Sequence, residues 1–254
     1  MQTSGNTILI TGGGSGIGEA LAHRWHDAGN TVIIAGRRGD VLERAIAGRP
    51  NLHAIVADVE SAGGVETLAR QVLAKHPDLN VLVNNAGIMR FEAVDRARDL
   101  ADAEATVATN LLGPIRLIDA LVEHLATRPD AAIVNVSSGL AFVPLVATPT
   151  YNATKAAIHS YTVSLREALR GRVEVIELAP PGVQTELTPG QETRAGYLPL
   201  NAFIEEVMAL LSQQPTPPEI LVERVRFLRF AEAEGRFDAT LAQLNEQAAR
   251  ARNA

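Results

Sequence analysis

Tyr151 and Lys155 stand one helical turn apart in the run Tyr151-Asn152-Ala153-Thr154-Lys155. An i, i+4 spacing puts two side chains on one helix face, about 6 Å apart at Cβ. A free phenol, with a pKa of about 10, carries protons poorly at neutral pH. An ammonium beside it favours the phenolate and is expected to lower that value. A phenol tuned in this way gives a proton to a carbonyl oxygen or takes one from an alcohol. A serine hydroxyl can hold the same oxygen, and Ser137-Ser138-Gly139 lies just upstream. These residue types point to proton transfer at an oxygen whose carbon gains or loses hydride.

Such chemistry needs a hydride carrier, and the chain has a place for one. Thr11-Gly12-Gly13-Gly14-Ser15-Gly16-Ile17-Gly18 follows the apolar run Thr7-Ile8-Leu9-Ile10 and precedes a helical segment, Glu19 to Trp25. Glycines let backbone N–H groups approach an anion with no Cβ in the way. The helix start adds unpaired N–H groups and a positive dipole end, which favour a pyrophosphate. A glycine turn at the head of the first βα unit is where a doubly wound sheet binds a dinucleotide.

The elements that must position these groups are read from apolar runs. Val32-Ile33-Ile34-Ala35, Leu52 to Ala57, Val81-Leu82-Val83, Ala131 to Val136 and Val173 to Leu178 read as further strands. Val65, Leu68, Ala69, Val72 and Leu73 form a helical stripe. A long helix is expected from about Asp99, interrupted at Gly113-Pro114 because proline removes an internal bond. Thr148-Pro149 reads as the N-cap and first residue of the helix carrying Tyr151. The expected fold class is therefore α/β: a Rossmann-type doubly wound parallel sheet of six to seven strands with helices on both faces.

Gly36-Arg37-Arg38 closes the second strand, where a dinucleotide fold meets the adenosine ribose. An acid there binds the 2′-hydroxyl of NAD; an arginine accommodates a 2′-phosphate. Arg37 and Arg38 thus point to NADP(H) over NAD(H). Asp58-Val59 ends the third strand, and Asn84-Asn85-Ala86-Gly87 forms a polar turn after the fourth.

With 254 residues, a single domain is the simplest count. A net charge of −6 disfavours nonspecific nucleic-acid binding. No apolar run of about 18 residues is evident, so no membrane span is expected. The opening Met1 to Asn6 has no secretion signal, and there is no cysteine, so a cytoplasmic location is expected. His23 and His26, three apart, have a spacing that can ligate metal, but nothing accompanies them and no metal is expected. No G-x-S-x-G elbow is present, which disfavours an α/β-hydrolase.

The order T-G-x-x-x-G-x-G, N-N-A-G, Asn110 in N-x-x-G, Ser138 and Y-x-x-x-K resembles the short-chain dehydrogenase/reductase family, in its shorter single-domain branch. The motifs cover residues 7 to about 187. Ser138, thirteen residues before Tyr151, stands at that family's separation, which selects it over Ser137. The resemblance implies a set of roles. Tyr151 is the proton donor and acceptor, and Ser138 orients the substrate. Lys155 binds the nicotinamide ribose and tunes Tyr151, while Asn110 orders a relay water. Thr11, Gly12, Ser15, Gly16, Ile17 and Gly18 cradle the pyrophosphate. Asp58 and Val59 face the adenine, and Asn85, Ala86 and Gly87 line its ribose. Pro181, Gly182, Val183 and Thr185, in the family's P-G-x-x-T turn, hold the nicotinamide amide.

The family also implies a substrate lid, over residues 186 to about 211, and a homodimer or homotetramer. The chain departs from it after residue 215, where no glycine-rich seventh strand is visible. This extension, residues 215 to 254, resembles that of a subgroup named for the D-alanine-lipoteichoate locus of Gram-positive bacteria. Phe227, Leu228, Phe230 and Phe237 are expected as core or subunit contacts. The apolar run Leu140 to Val146 points to a hydrophobic or aryl carbonyl substrate, or the matching alcohol. The alternative is an NADP(H)-binding sensor with little catalysis; an epimerase or dehydratase fits the short chain less well.

Overall fold

The computed structural model describes residues 1–253, with side chains through residue 250. Seven strands form one sheet in the order β3-β2-β1-β4-β5-β6-β7, all parallel. They are β1 (Thr7–Thr11), β2 (Thr31–Gly36), β3 (Leu52–Val56), β4 (Val81–Asn84), β5 (Ala132–Val136), β6 (Glu174–Leu178) and β7 (Glu219–Ile220). The helices are α1 (Gly16–Asp27), α2 (Gly39–Ile46), α3 (Ala62–Lys75), α4 (Ala101–Val107), α5 (Gly113–Leu125), α6 (Pro149–Ala168), α7 (Leu200–Leu211), α8 (Glu223–Arg229) and α9 (Phe237–Asn253).

Successive side chains of a strand point to opposite faces. Ile8 and Ile10 of β1 therefore join one buried cluster with Trp25, Phe203 and Val207, while Leu9 joins another with Val65, Leu68 and Leu121. A strand that is apolar on both faces needs a layer of helices on each side, as the sequence predicts. Strand order reverses between β1 and β4. At that switch point the carboxyl ends of two strands diverge and leave a crevice. The glycine turn leaves β1 there and Asn85-Ala86-Gly87 leaves β4.

Several expectations change. The seventh strand exists, but it is two residues long and pairs only Glu219 and Ile220 with β6. The interruption in the long helix falls one turn before Gly113-Pro114, as a π-helical turn over Ala108–Leu112. Pro114 follows that turn directly, at the start of α5, so its missing N–H falls where the helix has already been widened. Taken together, Ala101–Leu125 has the length and mean hydropathy, 1.3, of a membrane span. Its apolar residues Leu117, Ile118, Leu121 and Leu125 are instead buried in the core that α3 shares. Thr148 does not cap α6 with its side chain; its hydroxyl donates to Asn152 Oδ1 at 3.1 Å. Within the segment expected as a lid, Leu200–Leu211 is α7, a regular helix with Phe203, Ile204, Val207 and Leu211 buried beside α1.

A buried polar chain positions α6. Asn84 Nδ2 donates to Asn135 Oδ1 at 2.9 Å, and Asn135 Nδ2 donates to Thr162 Oγ1 at 3.0 Å. It ties β4 and β5 to the helix carrying Tyr151 and Lys155. Satisfied buried networks of this kind fix one arrangement.

Candidate active site

Three cavities open along the carboxyl edge of the sheet. The first, about 210 Å³, is lined by Gly12, Gly14, Ser15, the β2 end from Ala35 to Arg38, and Asp58, Val59, Ala86 and Gly87. The second, about 520 Å³, continues past Gly16 and Ile17 to Lys155, Pro181, Val183 and Thr185. The third, about 250 Å³, lies beyond Tyr151 and is walled mainly by apolar side chains. Ser138 and Tyr151 border both the second and the third.

The glycine turn is locked to the β4 turn. Thr11 Oγ1 accepts from the backbone N–H groups of Asn85 and Ala86, each at 3.1 Å. Asn85 Nδ2 donates to the carbonyls of Thr11 and Gly12. Gly12 has φ +65°, and a Cβ there would stand 2.9 Å from Ala86 Cα, so only glycine fits. Gly18, in the first turn of α1, is buried and faces Gly12 and Asn85 rather than a cavity. Arg37 and Arg38 are exposed at the rim of the first cavity, where Arg37 makes a 3.7 Å ion pair with Glu60. Asp58 Oδ1 accepts from Glu60 N, while Ser61 caps α3.

The cavities suit a dinucleotide. Thr109 is among the residues lining the first and Ser137 among those lining the second. Both hydroxyls are buried without a hydrogen-bond partner among the described residues. Buried polar atoms in native structures are normally paired, so two unpaired hydroxyls beside the cavities are consistent with a polar ligand there. The glycine cradle, the two rim arginines and the polar second cavity fit phosphates and ribose hydroxyls. Thr109 and Arg90, which also lines the second cavity, were not singled out from sequence. Neither stands in a recognisable motif.

Lys155 Nζ donates to Val136 O at 2.8 Å and lies 5.6 Å from the Tyr151 ring centroid. Both residues are buried. Burial pushes the Tyr151 phenol up to about 12; a hydrogen bond with Ser138 pulls the other way, and Tyr197 adds a further upward push. Burial alone draws the Lys155 ammonium down to about 8. The expected lowering of the phenol by the ammonium is thus reversed. Desolvation is the largest influence on the phenol.

Asn110 lies inside the π turn. Its Oδ1 accepts from Ile88 N at 2.9 Å and its Nδ2 donates to Ile88 O at 2.8 Å. The side chain expected to order a relay water is tied to this backbone and donates from the same Nδ2 to Thr154 Oγ1 at 3.3 Å. Its role in the structure is to fix the segment after Gly87.

Gly182, Val183 and Thr185 form a turn to which the following segment returns. Leu198 N donates to Gly182 O at 2.8 Å, and Gln184 N donates to Leu198 O at 2.9 Å. Gln191 Nε2 anchors the same segment to Val183 O and Thr185 Oγ1. Of the run Leu140 to Val146, only Leu140 and Leu145 line the third cavity; Val143 is core and Val146 is exposed. The extension contributes Leu228 of α8 and Leu244, Gln247 and Ala248 of α9. Leu228 is therefore a site residue rather than only a core contact, and Phe227 is 47% exposed. Asn245 latches α9 over the cavity: its Oδ1 accepts from Val146 N at 2.7 Å and its Nδ2 donates to Pro144 O at 3.1 Å.

His23 and His26 each hold a backbone carbonyl, of Ala45 and Pro50. A different group, His159, Glu177 and Glu219, brings possible ligand atoms within 4.8 Å. Arg229 already holds Glu219 at 2.9 and 3.0 Å, and His159 holds Glu177 at 2.7 Å. The four charges balance without a cation once the imidazole is protonated.

A doubly wound parallel sheet with a glycine-turn crevice and a Ser-Tyr-Lys constellation at its carboxyl edge defines a Rossmann-type oxidoreductase fold. The chain belongs to the short-chain dehydrogenase family, whose model matches residues 6–195. It is 40% identical over 251 residues to the uncharacterized oxidoreductase DltE of Bacillus subtilis strain 168, covering 97% of this chain and 99% of that one. Among solved structures it resembles a serine dehydrogenase complexed with NADP+, with TM-score 0.74 at 25% identity over 82% of this chain and 89% of that one. It also resembles the 3-ketoacyl-(acyl-carrier-protein) reductase of Brucella melitensis complexed with NADH, with TM-score 0.76 at 26% identity over 85% and 93%.

Proposed function

We propose that this oxidoreductase reduces a carbonyl to an alcohol with NADPH, and runs the reverse with NADP+. The observation that carries the reading is that Ser138 and Tyr151 form the wall between the dinucleotide crevice and the apolar cavity. A carbonyl in the apolar cavity meets these two hydroxyls on the side that faces the crevice.

The dinucleotide, when bound, supplies or accepts the hydride. Ser138 holds the substrate oxygen by a hydrogen bond. Tyr151 gives its proton to that oxygen as the carbonyl is reduced and takes it back as the alcohol is oxidised. A phenol held near 12 is fully protonated at neutral pH, which suits the reductive direction. Lys155 keeps a positive charge behind the phenol and favours the developing phenolate. Phe91, Leu145, Leu228 and Leu244 exclude water from the reacting carbon and favour an apolar substrate body.

The preference for NADP(H) over NAD(H) rests on Arg37 and Arg38 at the adenosine end, with no acid at Gly36. The proposal includes a homodimer or homotetramer, supported by Leu112 and Val163, large apolar residues left exposed on the helical layer. The test follows loss of NADPH, and separately NADH, by absorbance against aryl and alkyl ketones, aldehydes and diketones. Turnover faster with NADPH and lost in Tyr151→Phe is the expected result. Cofactor binding without turnover of any carbonyl would refute it.

A further inference from the structure

Arg194 is the one cation among the described residues lining the apolar cavity, and no Asp or Glu lines it. Its guanidinium makes no ion pair with any described carboxylate, although most arginines of this chain do. Instead it lies over the Tyr197 ring, 5.2 Å from the centroid, with Nη1 3.4 Å from the phenolic oxygen. Stacking on a ring occupies the face of a guanidinium and leaves its N–H edge free to donate.

This pair is built into the site. Arg194 N donates to Gln191 O, and Arg194 O accepts from Tyr197 N and Gln184 Nε2. Tyr197 packs its ring on Gly182, where a Cβ would stand 3.1 Å from Cζ. A Cβ at residue 182 would press on the ring, which would have to give by a few tenths of an ångström. Gly182 belongs to the turn beside the dinucleotide crevice, so the pair and the crevice share one wall. Tyr197 and Tyr151 line the same cavity.

A half-buried guanidinium facing an apolar cavity, with no acid to neutralise it, awaits an anion. We infer that the substrate is a carbonyl compound with an apolar body and an oxyanion, a carboxylate above all, held by Arg194 and Tyr197. The inference rests on the carbonyl-reductase reading and names its substrate class. The planar fork of arginine matches the two oxygens of a carboxylate. Tyr197 O–H adds a third donor on the same side. The carbonyl then lies at Ser138 and Tyr151, and the body runs along Leu145, Leu228 and Leu244.

The experiment compares levulinate and a medium-chain keto carboxylate, each against its own methyl ester, as substrates of the full-length protein with NADPH and with NADH. Uncharged aryl ketones are assayed alongside. The wild type should prefer acid to ester by about tenfold to a hundredfold in kcat/KM, mostly through KM. Arg194→Leu should bring that ratio close to one, and Arg194→Lys should restore part of it. The ratio is read within one preparation, so a poorly folded variant loses both substrates together and leaves it interpretable. Equal use of acid and ester by the wild type, or a preference that survives Arg194→Leu, overturns the inference. Reduction of aryl ketones alone also overturns it, but leaves the carbonyl-reductase reading standing. No turnover of any carbonyl with either cofactor overturns both.

Discussion

Asn110 holds Ile88 by both of its backbone groups, from a π-helical turn twenty-two residues away. The turn widens the helix by one residue at the place where it passes the crevice, and that aims the amide at the chain leaving β4. Asn110→Ala would orphan two backbone groups in a partly buried place, at about 1–3 kcal/mol. We expect a lower Tm, and kcat/KM reduced at least tenfold by a crevice wall about 1 Å out of place. An activity loss without any loss of Tm would show that Asn110 acts on the reaction rather than on the wall.

Arg37 pairs with Glu60 across 3.7 Å of exposed surface, a contact worth little. The guanidinium is thus free to leave it for a phosphate. Arg37→Ala should lower the NADPH-over-NADH preference by about tenfold to a hundredfold in kcat/KM. Glu60→Gln should raise it slightly by removing the competitor. An unchanged ratio in Arg37→Ala removes Arg37 from the cofactor's binding groups.

The pH profile follows from the two buried active-site groups. Below about 8 the Lys155 ammonium is charged, and the Tyr151 phenol stays protonated up to about 12. Reduction consumes the phenol proton, so its rate should be level through neutral pH and fall on the alkaline side. Oxidation needs the phenolate and should rise with pH. Lys155→Met should stabilise the fold toward neutral pH, because the unfolded lysine binds a proton that the folded one releases above about 8. Melting curves and initial rates across the pH range check both statements.

Glu177 is fully buried and raises the pKa of His159 first by a hydrogen bond, against desolvation, with Glu219 adding to the rise and Arg229 opposing it. The folded value lies above the unfolded one of 6.5, so protonated His159 stabilises the fold below that pH. This contribution is lost as pH rises through the folded pKa. His159→Gln should therefore lower Tm most at acid pH and least at alkaline pH. A Tm difference that does not vary with pH would mean that His159 contributes packing alone.

Removing α9 by truncation before Phe237 strips Leu244, Gln247 and Ala248 from the apolar cavity and breaks the Asn245 latch. Cofactor affinity should hold while KM for apolar carbonyls rises. Asn245→Ala should show a smaller rise of the same kind. Equal losses of cofactor and substrate binding would mean that α9 supports the whole fold.

What the sequence by itself determined is local. β1 with its glycine turn, the double-faced strands, and the i, i+4 pair of Tyr151 and Lys155 are periodicities and spacings within one or two elements, and a single stretch of chain displays them. Even the choice of Ser138 over Ser137 rests on a spacing; in the structure Ser138 lines both cavities with Tyr151, while Ser137 Oγ is buried without a partner among the described residues.

The tertiary structure decided what depends on distant partners. Asn245 meets Pro144 across 101 residues, and Asn84 meets Asn135 across 51. Neither asparagine carries a pattern that names its partner. The same is true of Arg194, an ordinary charged residue in sequence, whose lack of a carboxylate among the described residues becomes visible only when the chain has folded around it. The phenol's pKa depends on such surroundings too. Spacing shows that an ammonium is near, but burial, which spacing does not show, is the largest influence on the phenol.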